Sequence, residues 1–88
     1  MRIISAAAAG TLESSDAYVR VEPAEELVIE IESVVYNQFG DQIREAIHDI
    51  LYELNVDAGR IFVNDRGALD CVIKARVEAA VKRAGGEE

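Results

Sequence analysis

The spacing of apolar residues changes at Ser33, and this change restricts the possible folds more than any other feature of the chain. Before Ser33, residues 17–22 and 27–32 alternate between apolar and polar side chains, which is typical of strands with one buried face. After Ser33, apolar residues recur every three or four positions, which is typical of an amphipathic helix. The sequence therefore predicts strands in the N-terminal third and a helix directly after them.

Three strands are predicted in this N-terminal third. Residues 2–9 are small and apolar without clean alternation, so a strand is favoured there and a helix stays open as an alternative. Residues 17–22 and 27–32 are separated by a short turn that contains the only proline of the chain, Pro23. Two alternating segments across so short a turn predict an antiparallel hairpin.

A long amphipathic helix is predicted next, with Ser33 as its N-cap. Its apolar face is formed by residues at helical spacing, namely Val35, Phe39, Ile43, Ile47, Ile50, Leu51 and Leu54. The opposite face is polar and carries His48, for which a solvated position is expected. Residues 60–64 are rich in β-forming side chains and predict a fourth strand.

A second helix is predicted after a turn at residues 64–67. Its apolar face contains Leu69, Val72, Ile73, Val77, Ala80, Val81 and Ala84. Gly85 and Gly86 should end this helix. Cys71 lies beside the apolar residues, so a buried thiol is expected. Glu87 and Glu88 are expected to form a solvated tail.

The predicted order is therefore strand, strand, strand, helix, strand, helix, within one domain that spans residues 1–88. The third strand, the first helix and the fourth strand can form a right-handed β-α-β crossover. With both helices on one face of a small mixed sheet, the predicted fold class is α+β, in the form of a two-layer α/β sandwich.

The chain is acidic, with 17 Asp and Glu residues, 9 Lys and Arg residues and a net charge of −8. This charge opposes binding to nucleic acid and to anionic membranes, so neither is expected as a partner. A small basic cluster falls in the last predicted helix, where cations interact favourably with the helix C-terminus: Lys74, Arg76, Lys82 and Arg83. No apolar run approaches the roughly 20 residues of a membrane span, and the N-terminal run is too short for a signal peptide. A cytoplasmic protein is predicted.

The sequence offers few groups for catalysis. One cysteine excludes an internal disulfide, one histidine excludes a metal site built from several histidines, and no metal ligands are predicted. No phosphate-binding loop, dinucleotide fingerprint or nucleophile elbow is present, so an enzyme is not predicted. The remaining candidate is the polar segment of residues 10–16, although its Ser14 and Ser15 are also ordinary turn-forming residues. On the residues alone, a plain turn and an attachment site both stay open.

Three segments of the chain resemble the acyl carrier (gamma) subunits of citrate lyase. They are residues 9–16 (AGTLESSD), residues 38–44 (QFGDQIR) and residues 65–71 (DRGALDC), the last continued by residues 75–79 (ARVEA). Each segment alone is a weak indication. Together they span nearly the whole chain at consistent spacing, and that combination is specific.

The resemblance implies a cytoplasmic, non-catalytic carrier with a covalently attached group, 2'-(5''-phosphoribosyl)-3'-dephospho-coenzyme A. The group would be joined by a phosphodiester to Ser14, with Ser15 as the alternative acceptor, and would present acetyl and citryl thioesters. The implied partners are the alpha subunit, an acyl transferase, and the beta subunit, a citryl lyase, which together cleave citrate to oxaloacetate and acetate. A prosthetic-group transferase and an acetylating ligase would load the carrier.

Two other functions stay open beside this interpretation. One is a carrier of the malonate decarboxylase type, which uses a similar group. The other is an unmodified, non-catalytic interaction subunit that docks a larger partner. For the carrier, Glu13 and Asp16 flank the serine, and their repulsion of the phosphodiester is expected to hold the attached group away from the surface.

Overall fold

The computed structural model describes residues 1–86. Within them the elements are, in chain order, β1 (Arg2–Ile3), β2 (Ala7–Gly10), β3 (Ala17–Glu22), β4 (Leu27–Ser33), α1 (Tyr36–Glu53), β5 (Gly59–Asp65), α2 (Asp70–Ala84) and β6 (Gly85–Gly86). The predicted succession of three strands, helix, strand and helix is confirmed from β2 to α2. The tail predicted for Glu87 and Glu88 lies outside the described residues.

The main sheet has the strand order β2-β3-β5-β4 among the described residues. β4 and β5 pair in parallel, from Leu27 opposite Gly59 to Ser33 opposite Asp65. The β2–β3 and β3–β5 pairs are antiparallel, so the sheet is mixed. Because α1 connects the parallel strands β4 and β5, the predicted β-α-β unit is present, and the α+β fold class is confirmed.

The hairpin predicted for residues 17–22 and 27–32 is wrong, because β5 lies between β3 and β4. β5 carries the fully buried Ile61 and Val63 and pairs along both of its edges. The turn at residues 23–26 has to cross only two strand spacings, about 10 Å, which a few extended residues cover. Alternation shows which face of a strand is buried, but it does not show which strand lies next to it.

The N-terminal run forms two strands rather than the single strand predicted for residues 2–9. β1 pairs antiparallel with β6, with Ile3 opposite Gly85, whereas β2 joins the main sheet beside β3. Between β1 and β2, the backbone N–H of Ile4 donates to the carbonyl oxygen of Ala84 at 2.9 Å. α2 ends at Ala84, as predicted, and the two glycines then continue as a strand.

Both helices pack on the main sheet and against each other. α2 covers β2 and β3, and α1 covers β4. The core between the two layers is made of fully buried or nearly fully buried aliphatic side chains, which include Val19, Val21, Ile61 and Val63 from the sheet and Ile47, Leu51, Ile73 and Val77 from the helices.

Phe39 and Leu69 are exposed, although the helical spacing predicts them on buried faces, and Cys71 is exposed, although a buried thiol is expected from the apolar residues beside it. They precede the first buried residues of the two helices, Gly40 in α1 and Ile73 in α2. Two residues correspond to about 200° around a helix, so Cys71 points away from the core side that Ile73 occupies. The helical period predicts which residues share a face, but not where along the helix that face becomes covered.

Ser33 does not cap α1 as predicted, because the helix begins at Tyr36 with Val35 in the N-cap position. The Ser33 hydroxyl instead accepts a hydrogen bond from the Val35 N–H at 3.1 Å and donates one to Asp65 Oδ2 at 2.8 Å. Asp65 is the buried last residue of β5. Ser33 therefore connects the ends of the two parallel strands.

His48 is exposed on the polar face of α1, as predicted. Over residues 1–86, no group of three or more His, Cys, Asp or Glu side chains is arranged to hold a metal ion. In the same part of the chain, neither helix has the length and hydropathy needed to cross a membrane.

Candidate attachment site

The serine loop, residues 11–16, connects β2 to β3. Gly10 precedes it with φ of +91°, a backbone conformation that favours glycine. A Cβ on Gly10 would lie 1.9 Å from the carbonyl oxygen of Ala17, on the neighbouring strand. The two strands therefore approach each other too closely at this point for any side chain, and Gly10 determines where the loop begins.

The two serines occupy the centre of a tight turn. The Asp16 N–H donates to the Glu13 carbonyl oxygen at 3.1 Å, which closes a four-residue turn with Ser14 second and Ser15 third. Ser15 has φ of +67°, and Ser14 is not among the residues with positive φ. That combination matches a type II turn, in which the third residue takes the left-handed conformation. Ser14 therefore lies at the outer corner of the turn.

Asp16 anchors the C-terminal side of the loop. Its carboxylate accepts two hydrogen bonds from Arg76 of α2, from Nε and Nη2, each at 2.9 Å. It also accepts hydrogen bonds from the Thr11 hydroxyl and from the Ala17 N–H, each at 2.7 Å. Arg76 and then Thr11 and Ala17 hold the pKa of Asp16 far below its usual range, and Asp16 raises the pKa of Arg76. This carboxylate is therefore a weak base, unsuited to activating a neighbouring hydroxyl.

A second loop, residues 66–69 between β5 and α2, holds the backbone of the serine loop. The Ser15 N–H donates to the Arg66 carbonyl oxygen, and the Arg66 N–H donates to the Asp16 carbonyl oxygen, both at 2.9 Å. This second loop is itself fixed by the buried carboxylate of Asp65, which accepts the Ala68 N–H at 2.9 Å. The last two residues of the turn, Ser15 and Asp16, are thus tied to the body of the protein.

The Ser14 side chain is exposed, and among residues 1–86 its hydroxyl makes no hydrogen bond. Ser15 is also exposed, but its backbone carries both the left-handed conformation and the hydrogen bond to Arg66. A left-handed non-glycine residue costs on the order of 1–3 kcal/mol. The geometry presents Ser14 as a free primary hydroxyl on a rigid support.

The ion pair that Arg76 forms with Asp16 is not predicted from the sequence. From the sequence, the charge of Arg76 is expected to interact with the C-terminal end of a helix. Arg76 lies in the middle of α2, and its charge is engaged by Asp16. The predicted repulsion of an attached phosphodiester by both Glu13 and Asp16 is corrected accordingly. Because Arg76 offsets the charge of Asp16, the exposed Glu13 is the acidic neighbour left to exert that repulsion.

The ion pair of Asp16 and Arg76 should make stability depend on pH. Because the pKa of Asp16 is lowered in the folded state, its carboxylate stabilises the fold above the unfolded-state pKa of about 4. That contribution is lost as the pH falls below about 4 toward the lower folded-state pKa. We expect Asp16→Asn to unfold at lower urea concentration than wild type at neutral pH, and the difference in unfolding free energy to shrink as the pH falls below about 4.

Asp57→Asn is the matched control, because Asp57 is an exposed loop carboxylate with no ion pair among residues 1–86. This variant should follow wild type across the same pH series. A difference between wild type and Asp16→Asn that stays constant with pH would contradict the prediction.

Comparison with known proteins agrees with this fold. A family model described as malonate decarboxylase delta subunit matches residues 4–84. A chain of the crystal structure of a Pseudomonas malonate decarboxylase hetero-tetramer in complex with malonate has the same fold, with a TM-score of 0.81. It is 24% identical in sequence, and the match covers 94% of this chain and 87% of that one.

Curated relatives give a closer match in sequence. The citrate lyase acyl carrier protein of Haemophilus influenzae is 52% identical over 87 residues, which cover 99% of this chain and 92% of the relative. The protein of the same name from Enterobacter sp. is 53% identical, over 100% of this chain and 92% of its own length. That of Treponema denticola is 46% identical, over 96% and 97% of the two chains. The chain therefore belongs to the citrate lyase acyl carrier protein family.

Proposed function

We propose that this chain carries phosphoribosyl dephospho-coenzyme A on the Ser14 hydroxyl and presents acetyl and citryl thioesters to the other subunits of a citrate lyase. The observation that carries the proposal is the geometry of the serine loop. Ser14 stands exposed at the corner of a turn, and the residues after it are held by Arg66 and Arg76. A covalent carrier needs such a hydroxyl, which is accessible to a modifying enzyme and fixed in position.

The residues present fit a group attached through a phosphodiester. The Ser14 oxygen can form the ester bond without losing a hydrogen bond to any residue in the described part of the chain. Asp16 is the nearest acidic residue on the C-terminal side, and its negative charge is already offset by the ion pair with Arg76. When bound, the group supplies a terminal thiol that forms thioesters. The chain itself holds the attachment point in place and leaves activation of the serine to another protein.

The proposed role of the chain is non-catalytic. Arg76 holds the pKa of the Asp16 carboxylate far below its usual range, so this carboxylate is too weak a base to take the proton from the Ser14 hydroxyl. We place the acyl transfer on an alpha subunit and the citryl cleavage on a beta subunit. A prosthetic-group transferase and an acetylating ligase complete the set of partners, in the cytoplasm. Relatives named citrate lyase acyl carrier protein support a place in a citrate lyase complex.

Intact mass spectrometry tests the proposal. The chain, co-expressed with the enzymes that make and attach the group, should gain one adduct of coenzyme size and should stay unmodified without them. Trypsin cleavage after Arg2 and Arg20 should place the adduct on the peptide of residues 3–20, which contains the serine loop. An active, assembled lyase whose carrier lacks an adduct would overturn the proposal in favour of an unmodified interaction subunit.

A malonate decarboxylase carrier is the second candidate, because the family model and the similar hetero-tetramer chain both bear that name. Both candidates would carry a similar group, so mass alone does not separate them. Reconstitution does separate them: the loaded chain should restore citrate cleavage when mixed with citrate lyase alpha and beta subunits. Restoration of malonate decarboxylation instead would favour the second candidate.

A further inference from the structure

An apolar cleft lies between the N-terminal part of α1 and the segment that leads from β5 into α2. Its volume is about 560 Å³, within the range of about 300–1,000 Å³ typical of small-molecule sites. The residues of the lining that matter here are Phe39, Gln42, Ile43, Leu69, Asp70 and Cys71. Phe39 is 47% exposed and Leu69 is 72% exposed. Large apolar side chains left in water around a concavity indicate a binding surface.

The cleft lies close to the serine loop, to which it is connected through Arg66. Arg66, whose backbone exchanges hydrogen bonds with Ser15 and Asp16, is followed directly by Gly67, which lines the cleft. The path from Ser14 to Gly67 runs along the chain to Ser15, across the hydrogen bond to Arg66, and along the chain to Gly67. Such a path is roughly 13 Å long at most. A flexible group attached to Ser14 therefore has the cleft within short reach.

We infer that the apolar cleft receives the pantetheine part of the group attached to Ser14, with its sulfur near Cys71, whenever the group is not held by another subunit. This inference rests on the proposed function and adds to it a resting position on the carrier itself. The occupant is the tethered group, because the cleft adjoins the loop that carries the tether.

The chemistry of pantetheine matches the lining. Its two methyl groups and its methylene units are apolar, and transferring them from water to the faces of Phe39 and Leu69 is favourable. Its amides need hydrogen-bond partners. The side-chain amide of Gln42 donates to the carboxylate of Asp70 at 3.3 Å, and both groups are accessible at the cleft. These two side chains supply a donor and an acceptor beside the apolar surface.

The tether makes a weak affinity sufficient. A flexible tether that is long enough to reach the cleft gives an effective concentration on the order of millimolar. A dissociation constant of about 1 mM for the same fragment free in solution would then fill the cleft about half of the time or more. Such weak binding also allows release when a subunit with higher affinity competes for the group.

Disulfide trapping tests the inference, using the thiol of Cys71 that lines the cleft. The loaded chain is first verified by intact mass and then deacylated, which leaves a free thiol at the end of the group. Diamide then oxidises the two thiols: a sulfur–sulfur bond forms, and each thiol gives up one proton and one electron to diamide. The expected product is an intramolecular disulfide, which Cys71→Ser should abolish.

A displaced thiol provides the matched control. His48→Cys, combined with Cys71→Ser, places a thiol on the same protein at an exposed position nine residues after Phe39 in α1. That position is about 13.5 Å along the helix and half a turn around it. We expect the disulfide to form about ten-fold or more faster at Cys71 than at this position. Phe39→Ser should remove most of that advantage without unfolding the chain, because Phe39 is half exposed.

The outcomes separate this inference from the proposed function. A chain without an adduct contradicts the proposed function before oxidation begins. A loaded chain with equal trapping rates at the two positions, and with amide NMR shifts confined to residues near Ser14, overturns the resting position alone. Shifts at Phe39, Ile43 and Leu69 that appear only after an alpha or beta subunit is added would assign the cleft to that subunit and would also overturn the inference.

Discussion

Replacing Ser14 by alanine should abolish covalent loading of the chain, from nearly complete modification to none detectable by intact mass. The reason is chemical, because the phosphodiester needs the hydroxyl oxygen and alanine has none. The fold should be unaffected, since the Ser14 side chain is exposed and has no hydrogen bond to lose within residues 1–86. The variant should assemble with the other subunits but leave the complex without citrate cleavage.

Ser15→Gly is the matched control for this prediction. It removes the neighbouring hydroxyl and places at φ of +67° the residue that best tolerates that conformation. We expect this variant to be loaded as completely as wild type. Loading of Ser14→Ala together with loss of loading in Ser15→Gly would move the attachment site by one residue.

Gly10→Ala should strongly destabilise the protein, by about 2–5 kcal/mol in the free energy of unfolding. The positive φ accounts for about 1–2 kcal/mol of this loss. The rest arises because the added Cβ would lie 1.9 Å from the Ala17 carbonyl oxygen, and that atom belongs to the backbone of β3. Relieving the clash means shifting a strand whose residues Val19 and Val21 are fully buried. Urea denaturation followed by far-ultraviolet circular dichroism measures the loss.

Gly67→Ala is the control that separates dihedral strain from the clash. Gly67 has φ of +89°, almost equal to that of Gly10, but a Cβ there would meet nothing within 4 Å. Gly67→Ala should therefore lower the free energy of unfolding only through the strain of the positive φ, by about 1–2 kcal/mol. Equal losses for the two variants would show that the close approach of β2 and β3 contributes nothing.

Much of the fold could be predicted from periodicity. The alternation in residues 17–22 and 27–32 identifies strands, and the apolar residues at helical spacing from Ile43 to Leu51 identify the buried face of α1. Neighbour relations could not be predicted this way. β5 lies between β3 and β4, which are consecutive strands in sequence, and the pairing of β1 with β6 joins segments more than eighty residues apart.

The position of the candidate site in an exposed loop was predictable from the sequence, but the contacts that hold this loop were not. A polar, hydroxyl-rich segment between two strands indicates an exposed loop, and Ser14 is exposed there. The groups that make the loop rigid come from distant parts of the chain, since Arg66 and Arg76 follow it by about fifty and sixty residues. No local pattern shows that these residues meet Ser15 and Asp16. Contacts of this kind are visible only once the strands are placed.

The serine loop is attached both to Arg76 of α2 and to the backbone of Arg66. These two attachments fix the position of Ser14 relative to the rest of the carrier. Under the proposed function, movement between two active sites has to come from the attached group, because the loop is bound to the same rigid body as the helices. Both active sites must then open within one arm length of a single point, the Ser14 oxygen. The anchoring of one turn in an 88-residue chain thereby limits how far apart two much larger catalytic centres can be placed.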